Sequence, residues 1–318
     1  MIKIFNRLFA ILFLFGWMPS VAVQAQDSNP VLSFGADVRS AGMGDILLPH
    51  SGAPLIHSNP TQIFRQEERL HAGYIFGLTR KETPRTGTQG YHALSVGYRL
   101  GQKHAIFGGV RYWSGSKVDY YNSIGTKMGE LYPADVTVDM GYAYKTCSHF
   151  SVFSTLTYLN TYSSRTGHAL AMSVGANFNA QISGLKSGAY GVTLSLSNVG
   201  TQIMYSKAKD IRRHLPSVLG VSSGMSMGAF GDHIVTIGGM YRFQFLPSTK
   251  HIHTISGGVE YAMPTLFSLR IGGQYEADNS HMTFGVGRRF GAFGIDFAYS
   301  AGMRPEFNLF RAGVTLSI

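Results

Sequence analysis

Two histidines separated by one residue are the first candidates for chemistry in this sequence. His251 and His253 would place both imidazoles on one face of a strand, which is the beginning of a metal site. Neither a carboxylate nor a third histidine accompanies them locally, so a polar strand end is the better interpretation. Serines and histidines are plentiful elsewhere, but neither a G-x-S-x-G turn nor a Ser/His/Asp arrangement can be placed. We therefore expect no enzyme activity, no metal site and no cofactor.

The elements that would position any such residues are clearest at the end of the chain, where residues 308–318 alternate between two kinds of side chain. One face of the predicted strand carries Phe310, Ala312, Val314, Leu316 and Ile318. The other face carries Arg311, Gly313, Thr315 and Ser317. A strand with this pattern separates an apolar environment from a wet one. Its position at the chain terminus is typical of the closing strand of an outer-membrane barrel, although Ile318 replaces the usual terminal aromatic residue.

The same alternation recurs in about fourteen segments, an even number as a closed bacterial barrel requires. Clear examples are residues 94–100, 136–145, 190–197 and 293–300. Charged residues make up 14% of the chain, well below the roughly 25% of ordinary soluble domains. A soluble sandwich would carry more Lys and Glu on its outer face. We therefore predict an all-β fold, a transmembrane antiparallel β-barrel of about 14 strands over residues 71–318, with a wet interior.

The first residues have the pattern of a secretion signal. Lys3 and Arg7 precede an apolar run at 8–18, and small residues at 23–25 suit a signal peptidase. The apolar run is shorter than the roughly 20 residues that a spanning helix needs. The single cysteine, Cys147, lies in mid-chain and permits neither a lipid-anchored N-terminus nor an internal disulfide. We predict a signal peptide at 1–25 and a location in the outer membrane.

Connections between the predicted strands alternate in length. Short turns such as 101–102 and 291–292 should be periplasmic, and longer links at 80–90, 114–133, 160–167, 199–214 and 244–251 should be extracellular. With an even number of strands both ends of the barrel wall lie on the periplasmic side. Residues 26–70, the N-terminal segment, are then expected to form a periplasmic or lumenal hatch.

The N-terminal segment carries residues with structural rather than chemical character. Its motif residues are Asp37, Arg39, Gly42, Met43, Gly44, Asn59 and Pro60. The glycines allow a turn or a close approach to the barrel wall, and Asn59-Pro60 forms a bend towards the first strand. If Arg39 lies in the lumen it needs carboxylates, for which Asp135, Asp139 or Asp296 are candidates. A solvated arginine in a periplasmic loop is the alternative that the sequence leaves open.

These motifs resemble a known family. The run 33–45, SFGADVRSAGMGD, followed by HSNP at 57–60, is similar to the opening of the PorV/PorQ group within the FadL-like outer-membrane barrels, with its D-x-R-x-x-G-M-G run and N-P-A motif. Thr61 stands where that motif has alanine. The resemblance continues at 132–142, 194–203 and 214–216 and so covers most of the chain. A PorV-like member is preferred over a PorQ-like one.

The resemblance implies a non-enzymatic component of the type IX secretion system. Such a protein receives cargo with a C-terminal signal domain from the translocon barrel and passes it to a PorU-like sortase. Extracellular loops would then bind the partner. The candidates are Tyr120, Tyr121 and Tyr132 in the loop at 114–133, and Lys207, Lys209, Arg212 and Arg213 in the loop at 199–214. Contact of the basic loop with lipopolysaccharide is the simpler explanation of its charge.

A second hypothesis from a different class is a FadL-type transporter of hydrophobic small molecules, with the N-terminal segment as its hatch. A kink or gap in a wall strand would be its signature. Pro216 and Pro264 fall at strand starts and turns, so the sequence predicts no break in the wall. Nucleic acid is not expected as a partner, because the basic residues behind the net charge of +10 are scattered singly along the chain.

Overall fold

The structure is a computed structural model of the whole chain. It describes residues 29–35, 37–49, 53–79, 88–206, 212–247, 251–263, 266–277, 280–303 and 308–318. The predicted signal peptide at 1–25 lies outside the described residues.

Fourteen strands form one closed antiparallel wall, as the period-2 pattern predicted. In chain order they are β1 (Leu70–Thr79), β2 (Gln89–Leu100), β3 (His104–Ser114), β6 (Ala134–Lys145), β7 (Phe150–Tyr162), β8 (Thr166–Gln181), β9 (Ala189–Gly200), β12 (Val218–Gly228), β13 (Ile234–Gln244), β14 (Ile252–Ala262), β15 (Ser268–Tyr275), β16 (His281–Phe290), β17 (Phe293–Gly302) and β18 (Leu309–Ser317). The barrel closes where β1 pairs with β18 along their full length, from His71 opposite Ser317 to Thr79 opposite Leu309. Closure removes the unpaired sheet edges that a bilayer would not tolerate.

The wall has an apolar outer face and a polar inner face. On β6, Val138 and Met140 are 47% and 68% exposed, whereas Thr137 and Asp139, which alternate with them, are buried. The last strand behaves in the same way, with Phe310 and Val314 outside and Arg311 buried inside. A soluble barrel has the opposite arrangement, with polar side chains outside and apolar ones inside. Apolar side chains on the outer face are what a surrounding lipid bilayer requires. The predicted orientation of both strands is confirmed.

Four further strands lie beyond the wall. Strands β4 (Val118–Tyr121) and β5 (Lys127–Leu131) form a separate hairpin in the long extracellular link between β3 and β6. Strand β10 (Ile203–Tyr205) pairs with the extracellular end of β8, and strand β11 (Arg212–Arg213) pairs with β10. The long link at 114–133 is therefore not an irregular loop but a structured projection.

The N-terminal segment, described at 29–35, 37–49 and 53–69, packs against the polar inner face of the wall. It contains two short helices, α1 (Pro30–Ser33) and α2 (Val38–Ala41), and a 3₁₀ helix at Pro60–Arg65. None of the described helices is long and apolar enough to cross a membrane. Residues 29–31 contact β3 and β6 towards the extracellular end, and the 3₁₀ helix contacts β2, β6 and β7 towards the periplasmic end. The segment therefore runs down the lumen from one end to the other.

Candidate functional site

Asp37 begins helix α2 as its N-cap. Its carboxylate accepts hydrogen bonds from the backbone N–H of Arg39 at 3.1 Å and from the hydroxyl of Ser40 at 2.7 Å. The first of these bonds satisfies one of the N–H donors that a helix start leaves unpaired. Asp37 therefore fixes the direction in which the Arg39 side chain leaves the segment.

Arg39 is bound to a carboxylate of the wall, but not to one of the three that were predicted. Its Nε donates to Glu260 Oε2 at 2.8 Å, and a second guanidinium nitrogen contacts Glu260 Oε1 at 2.5 Å. Arg270 on the next strand also donates to Glu260, at 2.6 Å, and then to Asp296, at 2.6 Å. The predicted partner Asp296 thus belongs to the same cluster only through Arg270. The alternative of a solvated arginine is wrong.

A second bidentate ion pair joins the N-terminal segment to the closing strand. The Arg311 guanidinium donates to both carboxylate oxygens of Asp45, to Oδ2 at 2.9 Å and to Oδ1 in a shorter contact. Burial opposes ionisation of Asp45, but the Arg311 charge outweighs it and lowers the pKa of the carboxyl. The segment is therefore fastened to β14 and β18 by charge-assisted bonds, which are among the stronger hydrogen bonds in proteins.

The motif glycines seat the segment on a part of the wall that has almost no side chains. Gly44 adopts φ +84°, and a Cβ added to it would lie 2.5 Å from Gly273 O. A Cβ added to Gly42 would lie 3.0 Å from the Cα of Gly285. Met43 between them is fully buried against Gly258 and Gly272. The structure thus explains the G-M-G run by backbone contact with the wall.

That part of the wall, the glycine rows, consists of Gly-Gly pairs on three adjacent strands. The pairs are Gly238-Gly239 on β13, Gly257-Gly258 on β14 and Gly272-Gly273 on β15, and they lie in register. One row faces the N-terminal segment. The other faces outward, where an added Cβ would meet only wall backbone at 3.5–3.8 Å. The wall is therefore only one backbone thick at this level.

Asn59 and Pro60 form the bend that leads into the 3₁₀ helix. Asn59 Nδ2 donates to Leu48 O at 3.2 Å, and Pro60 occupies the first helical position. Thr61, the departure from the family motif, is also used: it accepts a bond from Asn177 Nδ2 at 2.8 Å and donates to Asn59 at 2.7 Å. An alanine at this position would leave the buried Asn177 amide with one partner fewer.

Asp139, the second predicted partner of Arg39, is bound elsewhere. It accepts from Arg111 at 2.8 Å and from Thr157 at 2.5 Å. His57 of the segment lies with Nε2 3.8 Å from Asp139 Oδ2. Burial, and then the charge of Arg111, lowers the pKa of His57 to about 3, so its ring is neutral near pH 7. Asp135, the third predicted partner, is buried towards the extracellular end and has no ion-pair partner among the described residues.

A cavity of about 280 Å³ remains between the N-terminal segment and the wall. The segment contributes apolar side chains such as Leu32, Phe34 and Ile46. The wall contributes a mixture of polar and apolar residues, among them Ser173, Asn198, Val218, Met240, Arg242 and Glu276. Its volume is near the lower limit of small-molecule sites. The cavity reaches the extracellular strand ends, because Gln244, Ile252 and Glu276 belong to its lining.

The cavity meets the wall at a break in strand pairing, which the positions of the prolines did not predict. Met172 pairs with Val199 but Val174 pairs with Leu196, so β9 has one residue more than β8 between these pairs. Asn198 at this bulge has φ +59°, and its N–H donates to the Ser173 hydroxyl at 3.0 Å instead of to a backbone carbonyl. A side-chain bond thus replaces a ladder bond at the cavity.

The predicted loop tyrosines lie on or beside the extracellular hairpin β4–β5. Tyr120, Tyr121 and Tyr132 are 45%, 58% and 66% exposed. A cluster of opposite charges braces the hairpin: Lys127 Nζ lies 3.0 Å from Asp119 and 2.7 Å from Glu130. Bonds from Lys117, Lys127 and Tyr132 lower the pKa of Glu130 to about 2. The three aromatic side chains are thus held on an ordered projection.

The predicted basic cluster is described only in part. Arg212 and Arg213 form the short exposed strand β11 at the extracellular end. Lys207 and Lys209 lie outside the described residues.

His251 and His253 lie at the extracellular rim, where the strand-end interpretation placed them. Both rings pack against Phe243, with centroids 5.6 Å and 4.9 Å away, and His253 Nδ1 lies 2.7 Å from Tyr241 OH. No group of side chains suited to hold a metal ion occurs in the part of the chain that the structure describes. These histidines belong to the aromatic girdle of the barrel.

Comparison with solved structures gives the class of this fold. The toluene transporter TbuX of Ralstonia pickettii superposes with a TM-score of 0.59 at 17% identity over 88% of this chain and 97% of its own. The toluene transporter TodX of Pseudomonas putida gives 0.58 at 12% identity over 93% and 99%. A Pseudomonas aeruginosa FadL homologue gives 0.54 at 10% identity over 88% and 98%. No family model matches the sequence, and no curated protein matches it.

The chain is therefore an outer-membrane β-barrel of fourteen strands with a FadL-like fold. Identities between 10% and 17% speak for the fold alone.

Proposed function

We propose that this protein is a non-enzymatic outer-membrane transporter of small hydrophobic molecules, with the N-terminal segment as its hatch. The observation that carries the proposal is the meeting of the cavity with the bulge between β8 and β9. A molecule in the cavity has the membrane on the other side of a wall that is weakened at this point. The likeness of the whole fold to toluene transporters supports the same function.

The bulge is built so that it can open without unravelling the strands. Asn198 Nδ2 donates to Pro216 O at 3.3 Å, and the Ser217 hydroxyl donates to Asn198 O at 2.9 Å. Together with the bond from Asn198 N–H to Ser173, these contacts close the gap through side chains. A side-chain bond can break by a rotamer change, whereas a ladder bond requires the backbone to move. The lateral route would therefore pass between Ser173, Asn198 and Pro216.

The test fills the cavity beside the bulge. Ser197→Trp adds a large ring at a lining position, whereas Ser223→Trp places the same ring on the exposed outer face of β12. Cells that make the wild-type protein are expected to take up a radiolabelled monoaromatic hydrocarbon faster than cells that lack it. Ser197→Trp should abolish the difference and Ser223→Trp should keep it, at equal amounts of folded barrel. Equal uptake with and without the wild-type protein would refute transport.

A second function has its own supporting observation, the hairpin β4–β5. An ordered projection with three exposed tyrosines is suited to contact with a protein, because tyrosine is enriched in interfaces. With the resemblance to PorV-like and PorQ-like proteins, it supports a role in the type IX secretion system. The partners would be the translocon barrel, a PorU-like sortase and cargo with a C-terminal signal domain, and lipopolysaccharide would contact Arg212 and Arg213.

Deletion of residues 116–132 tests this second function. The backbone bond between Gly115 N–H and Pro133 O, 2.7 Å long, lies just outside the deleted part and allows a short connection. The shortened barrel should insert normally. If cargo then fails to reach the cell surface, and the partners no longer copurify in mild detergent, the hairpin receives cargo. Normal delivery would exclude this role for the hairpin.

A further inference from the structure

Four pairs of a tyrosine and a histidine lie on the outer face of the wall, among the residues that the structure describes. In each pair the tyrosine hydroxyl oxygen lies 2.5–2.7 Å from Nδ1 of the histidine. The Tyr–His pairs are Tyr74 with His92, Tyr142 with His104, Tyr261 with His233, and Tyr241 with His253. Residues two positions further along the same strand face, such as Leu94 and Ile106, are 49% and 48% exposed. The pairs therefore face the lipid and not the lumen.

Three of the Tyr–His pairs repeat one arrangement. A second aromatic residue, two positions after the tyrosine, lies opposite the histidine in register and packs against its ring. The ring centroids are 5.3 Å apart for Phe76 and His92, 5.1 Å for Tyr144 and His104, and 4.9 Å for Phe243 and His253. In the fourth pair the ring of Tyr261 itself contacts His233 edge-on, at 5.4 Å. A ring contact and a hydrogen bond together fix the orientation of each histidine.

The Tyr–His pairs lie at two levels along the barrel axis. His92 and His253 lie near the extracellular ends of their strands, and His104 and His233 lie at the periplasmic ends of theirs. Eight residues separate His104 from the residue opposite His92, and ten separate His233 from the residue opposite His253. With a rise of about 3.4 Å per residue and a strand tilt of about 40°, the two levels are about 21–26 Å apart. The apolar band of an outer-membrane barrel is about 25 Å tall, so both levels coincide with lipid head groups.

Each Tyr–His pair keeps one hydrogen-bond donor for a ligand. If the hydroxyl donates to Nδ1, the ring proton is on Nε2, and if Nδ1 donates to the hydroxyl oxygen, the hydroxyl proton remains. Within the described parts of the chain, neither the hydroxyls nor the Nε2 atoms of these pairs have another hydrogen-bond partner.

At the membrane surface this donor meets lipid ester and phosphate oxygens, and the charged phosphate is the stronger acceptor. We propose that the Tyr–His pairs bind the phosphate groups of membrane lipids and thereby hold the barrel at a fixed depth. The inference is independent of what passes through the lumen.

Native mass spectrometry of the purified full-length barrel, titrated with lipid in detergent, tests the proposal. The probes are dimyristoylphosphatidylglycerol and dimyristoylglycerol, which share their acyl chains and differ in the phosphate group. At about pH 8 a histidine is neutral, so its replacement by phenylalanine keeps the ring and the net charge and removes only the polar atoms.

The wild-type barrel should bind the phospholipid more tightly than the diacylglycerol. Replacement of all four histidines by phenylalanine should weaken phospholipid binding by about fivefold or more, as expected for lost hydrogen bonds to an anion, and leave the diacylglycerol unchanged. His168→Phe is the control, because His168 is an exposed histidine near the extracellular end of β8 that lies opposite Asn160 and Met204 instead of a tyrosine. This variant should bind both lipids as the wild type does.

Three results would overturn the proposal. The first is a fourfold variant that binds the phospholipid as tightly as the wild type. The second is an equal loss in His168→Phe, which would attribute the effect to any polar residue of the rim. The third is displacement of the lipid by inorganic phosphate, which would mean that the pairs bind the free ion.

Two double variants keep the test decisive if the fourfold variant does not fold. His92→Phe with His253→Phe removes the extracellular level, and His104→Phe with His233→Phe removes the periplasmic level. Each should lose part of the phospholipid binding and keep the rest. Unchanged binding in both double variants would refute the proposal.

Discussion

Replacement of Gly272 by alanine should loosen the N-terminal segment without harming the wall. An alanine Cβ at 272 would lie 2.4 Å from the Met43 carbonyl carbon and 2.6 Å from Gly44 N, both backbone atoms that no rotamer change can move. Ordinary contact begins at 3.4 Å, so the segment must withdraw by about 1 Å. Overpacking of this kind costs about 1–3 kcal/mol.

The neighbouring glycine provides the control. Gly273 lies in the same strand but faces outward, where an alanine Cβ would meet nothing nearer than His281 O at 3.6 Å. Gly273→Ala should therefore change stability by less than about 0.5 kcal/mol. The two variants differ by one position in the strand and by the side of the wall on which the methyl group lies.

Hydrogen exchange of peptides that cover residues 38–48 is the assay, because it reports local opening of the segment. A cost of 1–3 kcal/mol corresponds to exchange about 5-fold to about 140-fold faster in Gly272→Ala. Exchange in the wall strands β6 and β7, which do not pair with β13, β14 or β15, should stay unchanged. Wild-type protection in Gly272→Ala would show that the segment does not rest on the glycine rows. Equal loss in both variants would attribute the effect to strand conformation instead of contact.

Three further perturbations follow from the lumenal contacts. Glu260→Gln leaves Arg39 and Arg270 without their shared carboxylate and should destabilise the barrel by about 3–5 kcal/mol, read as a lower thermal midpoint in detergent; an unchanged midpoint would mean that the cluster is solvated. Burial lowers the pKa of His57 from 6.5 to about 3 in the folded protein. Between these two pH values the unfolded chain binds a proton at His57 and the folded chain does not, so stability should fall as pH drops from about 6.5 towards 3. His57→Gln should flatten that dependence by up to about 1.4 kcal/mol per pH unit, and identical profiles would contradict the burial of a neutral ring. A valine at position 198 would have to hold the φ of +59° that Asn198 adopts. Asn198→Val should therefore lower the free energy of unfolding by about 1–2 kcal/mol more than Asn198→Gly in the same melts. Equal midpoints would show that the left-handed backbone at the bulge does not limit stability.

The wall could be predicted from the sequence because its rule is local. A strand that separates lipid from a wet lumen must alternate with period two. The pattern of each segment therefore predicts both the strand and which of its residues face the lipid or the lumen. Glu260 stands between Val259 and Tyr261 in this pattern and is thereby assigned to the lumen. The same reasoning placed Arg311 and Asp139 inside.

The partners inside the lumen could not be predicted in this way. The alternation predicts that a charged side chain faces the lumen. It predicts neither the level along the barrel axis at which the side chain lies nor the residue that it contacts across the lumen. Arg39 therefore had three candidate carboxylates on equal terms, and its actual partner lies 221 residues away in the sequence.

The bulge left a signal in the sequence that prolines do not give. Leu194 and Leu196 keep the two-residue period, but the next outward apolar residue is Val199, three positions on. The pair Ser197-Asn198 shifts the phase of the pattern by one residue, as an extra residue in one strand must. Asparagine is also the non-glycine residue that most readily adopts a left-handed backbone.

The ion pairs of the N-terminal segment have a consequence for the order of assembly. Asp45 is made early, but Arg311, its partner, follows 266 residues later, and Glu260 follows Arg39 by 221. Contacts so distant in sequence form late, because the intervening chain must first be placed. The segment can form these ion pairs only after β14 and β18 have taken their places in the wall. The N-terminal segment, although synthesised first, therefore docks in the lumen only after the last strand has closed the barrel.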